Sequence, residues 1–479
     1  MYPRQAAWRR NAGRRRGGWL ALGGLSLALA GCGGAAKTTP ADGSTVKRDG
    51  GFLPGSDSAL PGKIGTNCKP VGTVAIHTST NGKAPWMPRL AWANDQYGLT
   101  FAQETVVSST VKTNPMFLRL SKDGKAQGEP VALTKDPSAR MMEGVAIANS
   151  GKDFVVVWGD NREASDKSDL YFLSLSENGE RLAAGAVCKD PGCGEVKVTT
   201  STKAGYPYLL RPGFVEAGGA NQLALTWRDS RNSKTTPYPP YESGRSDVYF
   251  KVIKADGAEL VPEKRITTDT SKKAPFSPEL AFDGKQYAMV WRDFPTGGSN
   301  EHFFLLLGQD GTPVGTEKSL SKSYGLLDST PDLVYAGAEF GIAFSENPSK
   351  DKGMVQFSRI TKTGDLLAAQ TVNAAGSPCT PAVSYNGERY AVVWQDNCGK
   401  EGSKLVFAIL DDAGKPMKAD GKSCVSDPDE RCGLVTLSPD EKGTASFPEV
   451  ISVGGAYAVA WMNAPQKQIL FTHVVCSAQ

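Results

Sequence analysis

A hairpin pattern that recurs along the whole chain constrains the fold more than any other feature of the sequence. One clear copy, residues 278–293, reads PELAFDGKQYAMVWRD, with two apolar runs on either side of Asp283-Gly284. An Asp-Gly pair in this setting favours a β-hairpin, because the turn requires positive φ and glycine adopts it without strain. Each copy begins near a proline, and its second run ends in an aromatic residue, any residue and then an acid or amide. The seven copies are residues 88–103, 143–160, 212–229, 278–293, 331–346, 381–396 and 448–463.

A second pair of strands follows the hairpin. After 278–293 comes HFFLLLGQDGTPVG, a strand that ends in an Asp-Gly turn, and then a short strand at residues 318–320. Four other copies show the same order, so each unit contains four antiparallel strands, which we name a to d. The copies are about 50–70 residues apart, a spacing typical of propellers and other repeat arrays. Radial stacking buries both apolar faces of each unit, and ring closure removes exposed edges. The sequence therefore predicts an all-β fold, a seven-bladed β-propeller of four-stranded antiparallel blades over residues 68–479.

The two ends of the chain predict how this ring closes. Residues 71–87 are similar to residues 264–277, which contain a strand d and the start of the next unit. The seventh unit supplies strands a, b and c but has no strand d of its own. We therefore expect the N-terminal strand, residues 71–77, to complete blade seven beside residues 468–475. This arrangement resembles the closure of many β-propellers, and six or eight blades would require one miscounted unit.

Residues 1–31 have the pattern of an export signal, with six arginines, no acid and a short apolar run at residues 17–30. The run ends in Leu29-Ala30-Gly31-Cys32, which resembles the bacterial lipobox. The resemblance implies cleavage before Cys32, lipidation of Cys32 and a membrane anchor, and Gly33 favours the outer membrane. The alternative is an ordinary secretory signal with an incidental cysteine.

Residues 32–67 are rich in small and polar residues, which predicts a flexible tether. Cleavage before Cys32 removes six of the 54 basic residues and leaves 48 against 50 acidic residues, a net charge near −2. The +4 balance of the full chain therefore does not describe the mature chain. Because no stripe of Lys and Arg remains, we expect no nucleic-acid partner.

Eight of the nine cysteines remain once Cys32 is assigned to lipidation, and an even number in an exported chain indicates disulfides. Strand a starts where antiparallel strand b ends, so Cys379 and Cys398 should face each other. Cys68 precedes the orphan strand d and Cys476 follows the last strand c, so a bond between them would replace the missing peptide link. The other four lie in the c–d connections of blades two and six: Cys188, Cys193, Cys424 and Cys432. The alternative is free buried thiols.

An aromatic residue ends strand b of every unit: Phe101, Trp158, Trp227, Trp291, Phe344, Trp394 and Trp461. We interpret these residues as packing between blades, because large aromatics bury much area; the alternative is a ring of sugar-stacking platforms. Acids follow two residues later: Asp160, Asp229, Asp293, Glu346 and Asp396. We interpret them as acceptors for loop amides, with Arg162 and Arg231 as local ion-pair partners; the alternatives are cation ligands or catalytic carboxylates.

The pattern VVW-x-D-x-R, followed by D-[LV]-Y, a strand and D/N-G, is clearest at residues 154–171 and 223–249. It resembles a repeat of bacterial secreted and surface propellers of uncharacterised role. Units one, five and seven lack the Trp or the Asp of this pattern. The Gly-His element of WD40 repeats and the Asp box of sialidases are missing from the chain.

Long, varied loops on a rigid scaffold are where function usually lies. The a–b and c–d turns are mostly tight, whereas the b–c and d–a connections are longer and emerge together on what we call the long-loop face. We predict that this face binds a partner near the mouth of the channel; the alternative is that its aromatics only fill gaps between blades. The candidate ligand-binding residues are Trp86, Arg89, Tyr206, Tyr208, Tyr238, Tyr241, Phe276, Glu279, Asp332 and Glu449.

Signals for catalysis are weak. The chain has only three histidines, His77, His302 and His473, far apart on predicted strands, and no His/Cys cluster with metal spacing. It has no G-x-S-x-G elbow and no phosphate-binding loop. We therefore assign no catalytic residue, metal or cofactor. The favoured hypothesis is a monomeric, lipid-anchored envelope protein that binds a protein or glycan without catalysis; the alternative is a propeller glycoside hydrolase or polysaccharide lyase.

Overall fold

The computed structural model describes residues 65–107, 110–135, 144–151, 153–164, 167–190, 192–199, 213–216, 222–229, 231–232, 246–268, 276–293, 299–324, 330–349, 352–373, 376–398, 402–424, 432–438 and 444–477. The predicted signal peptide, with Cys32, and residues 32–64 of the predicted tether lie outside these residues. Within them every regular element is a strand. No helix there is long and apolar enough to cross a lipid bilayer.

The strands follow one another in seven groups. The chain enters with β1 (Asn67–Thr78). Blade one contains β2 (Pro85–Ala93), β3 (Gln96–Val107), β4 (Thr110–Ser121) and β5 (Val131–Ala132). Blade two contains β6 (Val145–Asn149), β7 (Phe154–Ala164), β8 (Lys167–Leu175), β9 (Arg181–Ala183), β10 (Ala186–Val187) and β11 (Val196–Lys197). Blade three contains β12 (Gly213–Glu216), β13 (Gln222–Asp229), β14 (Asp247–Lys254) and β15 (Glu259–Arg265).

The second half of the chain repeats this order. Blade four contains β16 (Phe276–Phe282), β17 (Gln286–Asp293), β18 (Ser299–Gly308) and β19 (Pro313–Tyr324). Blade five contains β20 (Asp332–Tyr335), β21 (Glu339–Ser349), β22 (Lys352–Thr361) and β23 (Gln370–Asn373). Blade six contains β24 (Cys379–Tyr385), β25 (Tyr390–Asp396), β26 (Lys404–Leu410) and β27 (Leu434–Thr436). Blade seven contains β28 (Ala445–Val453), β29 (Ala456–Asn463) and β30 (Gln468–Ser477), together with β1.

Each blade is an antiparallel sheet in which strands a, b, c and d lie side by side in that order. The seven strands a contact one another in sequence, and β28 of blade seven contacts β2 of blade one, so they form the innermost layer of a closed ring. The predicted fold class, an all-β, seven-bladed propeller of four-stranded blades, is confirmed. Only blade two departs from four strands, because its outer strand is divided into β9, β10 and β11.

The core consists of seven apolar clusters, one between each pair of neighbouring blades. The repeat aromatic of every blade lies in the cluster that faces the preceding blade: Phe101, Trp158, Trp227, Trp291, Phe344, Trp394 and Trp461. The five tryptophans among them are fully buried. The interpretation of these residues as inter-blade packing is therefore confirmed.

The ring closes as the sequence predicts. Strand β1 pairs antiparallel with β30 along its length, and Cys68 lies directly opposite Cys476. A disulfide joins these two cysteines across a sequence separation of 408 residues. The closing blade therefore has a covalent link in place of the c–d peptide connection of the other blades.

The predicted Cys379–Cys398 bond is also present. The four cysteines of the c–d connections, for which the sequence indicates disulfides without fixing the pairs, form Cys188–Cys193 in blade two and Cys424–Cys432 in blade six. In blades two and six the cystine is followed by a glycine with positive φ, Gly194 and Gly433, and then by the last segment of the outer strand. A Cβ atom on either glycine would lie 2.2 or 2.4 Å from the backbone carbonyl oxygen of Leu182 or Met417. Glycine is therefore required where the outer strand resumes after its insertion.

Candidate functional site

Strand a places one residue of every blade at the same register position in the innermost layer. This residue pairs with the one that precedes the repeat aromatic; Glu279, for example, pairs with Val290, which precedes Trp291. We call these seven residues the axial ring: Arg89, Ala146, Gly213, Glu279, Asp332, Ala382 and Glu449. The charged members belong to blades one, four, five and seven, and blades two, three and six contribute small residues.

Arg89 joins two acids of the axial ring. Its Nη1 donates to Glu449 Oε2 at 2.6 Å, and its Nη2 donates to Glu279 Oε1 at 3.0 Å. Blade seven is next to blade one, but blade four lies across the ring, so the bridge crosses the channel. All three side chains are buried, with 6%, 4% and 1% of Arg89, Glu449 and Glu279 exposed. The bridge therefore ties three blades together near the axis.

Asp332 has a separate role. Its Oδ2 accepts the backbone N–H of Val383 at 2.9 Å, and its side chain is buried. Val383 belongs to strand a of the next blade, so this hydrogen bond links blades five and six. The structure therefore brings three of the four predicted charged residues into one bridge and uses the fourth in an inter-blade contact.

A β-bulge in strand a precedes the axial residue in four of the seven blades. In blades one, four, six and seven the residue before the repeat proline has positive φ: Met87 (51°), Ser277 (48°), Thr380 (46°) and Phe447 (51°). The strand a–b register shifts at each of these positions, which is the signature of a β-bulge. Left-handed backbone is uncommon for non-glycine residues and costs on the order of 1–3 kcal/mol each. The axial residue follows two positions later, so the bulge sets the direction of Arg89, Glu279 and Glu449. Sequence reasoning missed this feature, although the shared X-Pro dipeptide marks it.

The predicted aromatic residues lie in different surroundings. Phe276 is buried, with the guanidinium carbon of Arg228 3.9 Å and that of Arg292 4.9 Å from its ring centre. These distances are typical of cation–π contacts, so its ring is already covered. Trp86 is half-buried and packs against the cluster between blades one and two. The remaining aromatic candidates lie outside the described residues: Tyr206, Tyr208, Tyr238 and Tyr241.

The repeated Trp-x-Asp-x-Arg motif forms a charged cluster at the end of strand b in blade two. Asp160 accepts from the Trp158 indole at 3.3 Å and from Arg162 Nε at 2.8 Å. Arg162 Nη1 reaches Glu195 of the outer strand at 2.5 Å, and its guanidinium lies 4.1 Å from the ring centre of Tyr171. Burial lowers the pKa of Arg162, but the hydrogen bonds and charges of Asp160 and Glu195 outweigh burial and raise it above its ordinary value.

Blade three repeats this cluster with different residues. Arg231 Nε donates to Asp229 at 2.7 Å, its Nη1 bonds Glu263, and its guanidinium lies 4.4 Å from the ring centre of Tyr249. Burial is the main cause that raises the pKa of Tyr249 to about 12. In both blades the acid after the tryptophan has an internal arginine as its partner, which agrees with the structural interpretation of these acids.

The b–c connections differ from expectation in several blades. They are long in blade three, where β13 ends at Asp229 and β14 begins at Asp247, but only two residues separate the strands in blades one, two and five. The reason is that the strands keep pairing beyond the body of the blade, as in the pair Val106–Val111 at the end of blade one. Both valines are exposed, at 56% and 39%. This ribbon therefore adds an apolar projection to the long-loop face.

The three histidines have separate hydrogen-bond partners and form no common cluster. His77 in β1 stacks on Phe101 and lies 3.4 Å from Gln103 Oε1 through its Nε2, whereas His473 in β30 contacts the Tyr97 hydroxyl at 3.0 Å. His302 is buried in blade four with its Nδ1 2.7 Å from Ser321 Oγ. Among the described residues no group of three or more His, Cys, Asp or Glu side chains is arranged to hold a metal ion.

A groove of about 580 Å³ lies between blades two and three on the tight-turn face. Its lining includes Asp153 and Glu195 of blade two and Lys254, Asp256 and Leu260 of blade three. The turn between β9 and β10, with Ala184 and Gly185, and the residues just after Cys193, Gly194 and Glu195, form part of its wall. Residues at the breaks in the divided outer strand of blade two therefore line this groove.

The fold and the axial ring define the protein as a closed seven-bladed β-propeller. No known family model matches the chain, and no curated protein matches it in sequence. Solved propeller structures are similar at low identity. An acylaminoacyl peptidase of Pyrococcus horikoshii is 9% identical, with 83% of this chain and 53% of that chain covered and a TM-score of 0.43. The sialidase of Trypanosoma rangeli is 9% identical, with 85% and 59% covered and a TM-score of 0.38.

A third similar structure is a subtype N10 neuraminidase-like protein from a little yellow-shouldered bat isolate. It is 10% identical, with 86% of this chain and 99% of that chain covered and a TM-score of 0.39. This chain thus spans little more than half the length of the peptidase and the sialidase.

Proposed function

We propose that this protein is an exported, lipid-anchored propeller that binds an envelope protein or glycan on its long-loop face without catalysis. Four disulfides among the described residues support export to an oxidising compartment, since such bonds persist mainly outside the cytosol. The lipobox at Leu29-Ala30-Gly31-Cys32 supports lipidation and the outer membrane as the site of anchoring.

One observation favours binding over hydrolysis: the acids of the axial ring already serve as acceptors. Glu449 and Glu279 hold the guanidinium of Arg89, and Asp332 holds a backbone N–H. A glycosidase pair requires one carboxyl group that delivers a proton to the leaving group and another that faces water or the sugar. The bridged acids instead stiffen the scaffold, and a stiff scaffold lowers the ordering cost of binding through its loops.

The test separates binding from hydrolysis in one experiment. Purified chain is applied to a glycan array and to envelope extracts, and the same bound glycans are assayed for reducing-sugar release. Retention without release supports the proposal, whereas release supports the hydrolase or lyase. The double variant Tyr238→Ala/Tyr241→Ala should abolish retention, and Val131→Ala, on the outer strand of blade one, is the matched control. Unchanged retention in the double variant would exclude this loop as the binding site.

The anchor is tested separately. Cells that express the chain with Cys32→Ser should lose incorporation of labelled palmitate into the protein and should release it from the membrane fraction. Equal labelling of both forms would exclude lipidation at Cys32.

A further inference from the structure

Blade six has the Trp and the Asp of the Trp-x-Asp-x-Arg cluster but not the residues that pack around them in blade two. Trp394 and Asp396 match Trp158 and Asp160 of blade two, since Trp394 pairs with Val406 as Trp158 pairs with Tyr171. The arginine position is occupied by Cys398, which is bonded to Cys379.

The outer strand of blade six also differs from that of blade two at the position that contacts the arginine. The segments CGLVTL (432–437) and CGEVKV (193–198) follow the equivalent cystines, and Val406 pairs with Thr436 as Tyr171 pairs with Lys197. Leu434 therefore stands where blade two has Glu195. Compared with blade two, blade six lacks the guanidinium, the carboxylate that holds its far side and the aromatic ring beneath it.

A cavity occupies the corresponding space. Its volume is about 150 Å³, and it lies at the long-loop end of blade six, with walls from blade six and from the connection that leaves blade five. Its lining is Asn373, Gly376, Trp394, Asp396, Asn397, Val406, Leu434 and Thr436. The Asp396 carboxylate, which corresponds to the acceptor of Arg162 in blade two, is thus part of the wall.

Two groups of this wall, the Asp396 carboxylate and the Trp394 indole, can bond a guest. Asp396 Oδ1 accepts the backbone N–H of Asn397 at 3.0 Å, and its Oδ2 has no hydrogen-bond partner among the described residues. The Trp394 indole N–H, which donates to the aspartate in blade two, is buried and has no partner in the same part of the chain. Lys404 lies opposite Asp396 in the ladder, yet no ion pair joins them in the described structure.

We propose that this cavity is a receptor for a guanidinium group, as presented by an arginine side chain of a binding partner. The guest would take the place that Arg162 and Arg231 fill internally in blades two and three, with its N–H groups on Asp396 and its flat faces against Val406 and Leu434. A guanidinium suits this space better than an ammonium, because it is planar, weakly hydrated and able to donate two parallel hydrogen bonds to one carboxylate. The Cys379–Cys398 bond fixes the wall beside Asn397 before the guest arrives, which reduces the ordering cost. The cavity and its carboxylate are the same whether or not Cys32 is lipidated.

The test uses the full purified chain and N-acetyl-L-arginine methylamide as the probe, with binding followed by saturation-transfer NMR and by tryptophan fluorescence. A contact with one carboxylate predicts a Kd on the order of 1 mM. The lysine analogue should bind several-fold more weakly, and the neutral citrulline analogue should not bind. Asp396→Asn should weaken arginine binding by at least about tenfold, because a charge-assisted hydrogen bond is lost.

Two variants sharpen the result. Leu434→Glu restores the second carboxylate of blades two and three and should tighten binding about tenfold or more. Asp160→Asn is the matched control, since its carboxylate already holds Arg162, and it should leave probe binding unchanged. Thermal unfolding of each variant confirms that the ring is intact. Three results would each overturn the proposal. They are equal binding of the arginine and citrulline analogues, no effect of Asp396→Asn, and binding that is seen only when the residue opposite Asp396 is changed, in Lys404→Met.

Discussion

Cys68 and Cys476 lie opposite each other in neighbouring strands and are joined by a disulfide, although 408 residues separate them in the sequence. This bond fastens the first strand of the propeller to the last one. The seven apolar clusters hold neighbouring blades together by packing, and this bond adds a covalent link at the point where the ring closes.

Removal of this bond should destabilise the protein more than removal of a local one. In the chain-entropy model, Cys68→Ser/Cys476→Ser should cost about 6 kcal/mol, because a very long loop is released in the unfolded chain. Cys188→Ser/Cys193→Ser, where the separation is 5 residues, should cost about 2 kcal/mol. Urea unfolding followed by tryptophan fluorescence measures both. Equal losses would show that loop length is not the source of the stabilisation.

Removal of Arg89 alone from its bridge with Glu279 and Glu449 should strongly reduce the stability of the protein. Arg89→Met leaves Glu279 and Glu449 buried without their cation, and the expected loss is about 3–5 kcal/mol in the free energy of unfolding. The triple variant Arg89→Met/Glu279→Gln/Glu449→Gln should recover most of it, because the unpaired charges are gone. Arg389→Met is the control, since Arg389 pairs with an Asp412 side chain that is 92% exposed, and its loss should be below about 1 kcal/mol. Chemical denaturation of the four proteins decides the point, and a mild effect of Arg89→Met alone would show that the bridge is structurally dispensable.

The protein should become less stable in mild acid because of two histidines, His77 and His473, at the interface between blades seven and one. Burial lowers the pKa of His77 and of His473 below the ordinary value of 6.5, with Gln103 and Glu129 opposing at His77 and Asp123 at His473. The unfolded chain therefore takes up protons first as the pH falls below about 6.5, and the stability present above that pH is lost as the pH approaches the folded-state pKa.

The measurement is the melting temperature between pH 7.5 and 5.5 for the wild-type chain and for His77→Asn/His473→Asn. The carboxylates titrate in both proteins, so the difference between the two curves isolates the histidines. A wild-type curve that falls no more steeply than that of the variant would contradict the prediction.

Two glycines with similar backbone angles should respond very differently to alanine. Gly387, in the a–b turn of blade six, has φ of 99° and open space where a Cβ would be added, so Gly387→Ala should cost about 1–2 kcal/mol from backbone strain alone. Gly433 has φ of 72°, and a Cβ there would lie 2.4 Å from the Met417 carbonyl oxygen. Gly433→Ala should therefore cost clearly more and should slow formation of the Cys424–Cys432 bond. Unfolding curves and free-thiol counts test the comparison, and equal costs would mean that the outer strand shifts to accept the methyl group.

The parts of the fold that sequence could predict are those that repeat locally. Alternation and turn residues mark each hairpin, and the recurrence of the aromatic at one position predicts that Trp227 and Trp291 pack between blades, as they do. The orphan strand and the two terminal cysteines are enough to predict the closure. Each of these signals is contained in one unit or in the comparison of units.

The candidate site depends on contacts between blades and on backbone geometry, which cannot be read from the sequence of one repeat unit. Arg89 meets Glu279 across the channel, a contact set by the ring geometry and not by spacing in the chain. The bulge at Ser277 requires left-handed backbone before a proline, which propensity disfavours. The blade-six cavity is visible only as a difference between equivalent positions, Leu434 against Glu195, once the register is known.

The placement of β1 also has a consequence for the order of assembly. Strand β1 is synthesised before the other strands of the propeller, and it has no partner until its neighbour β30, Gln468–Ser477, has also been synthesised. Pairing over so long a separation is slow, and a waiting strand edge invites pairing with another chain. Truncation within the last ten residues should therefore convert the protein from a closed ring into an aggregation-prone arc, however well the other six blades are formed.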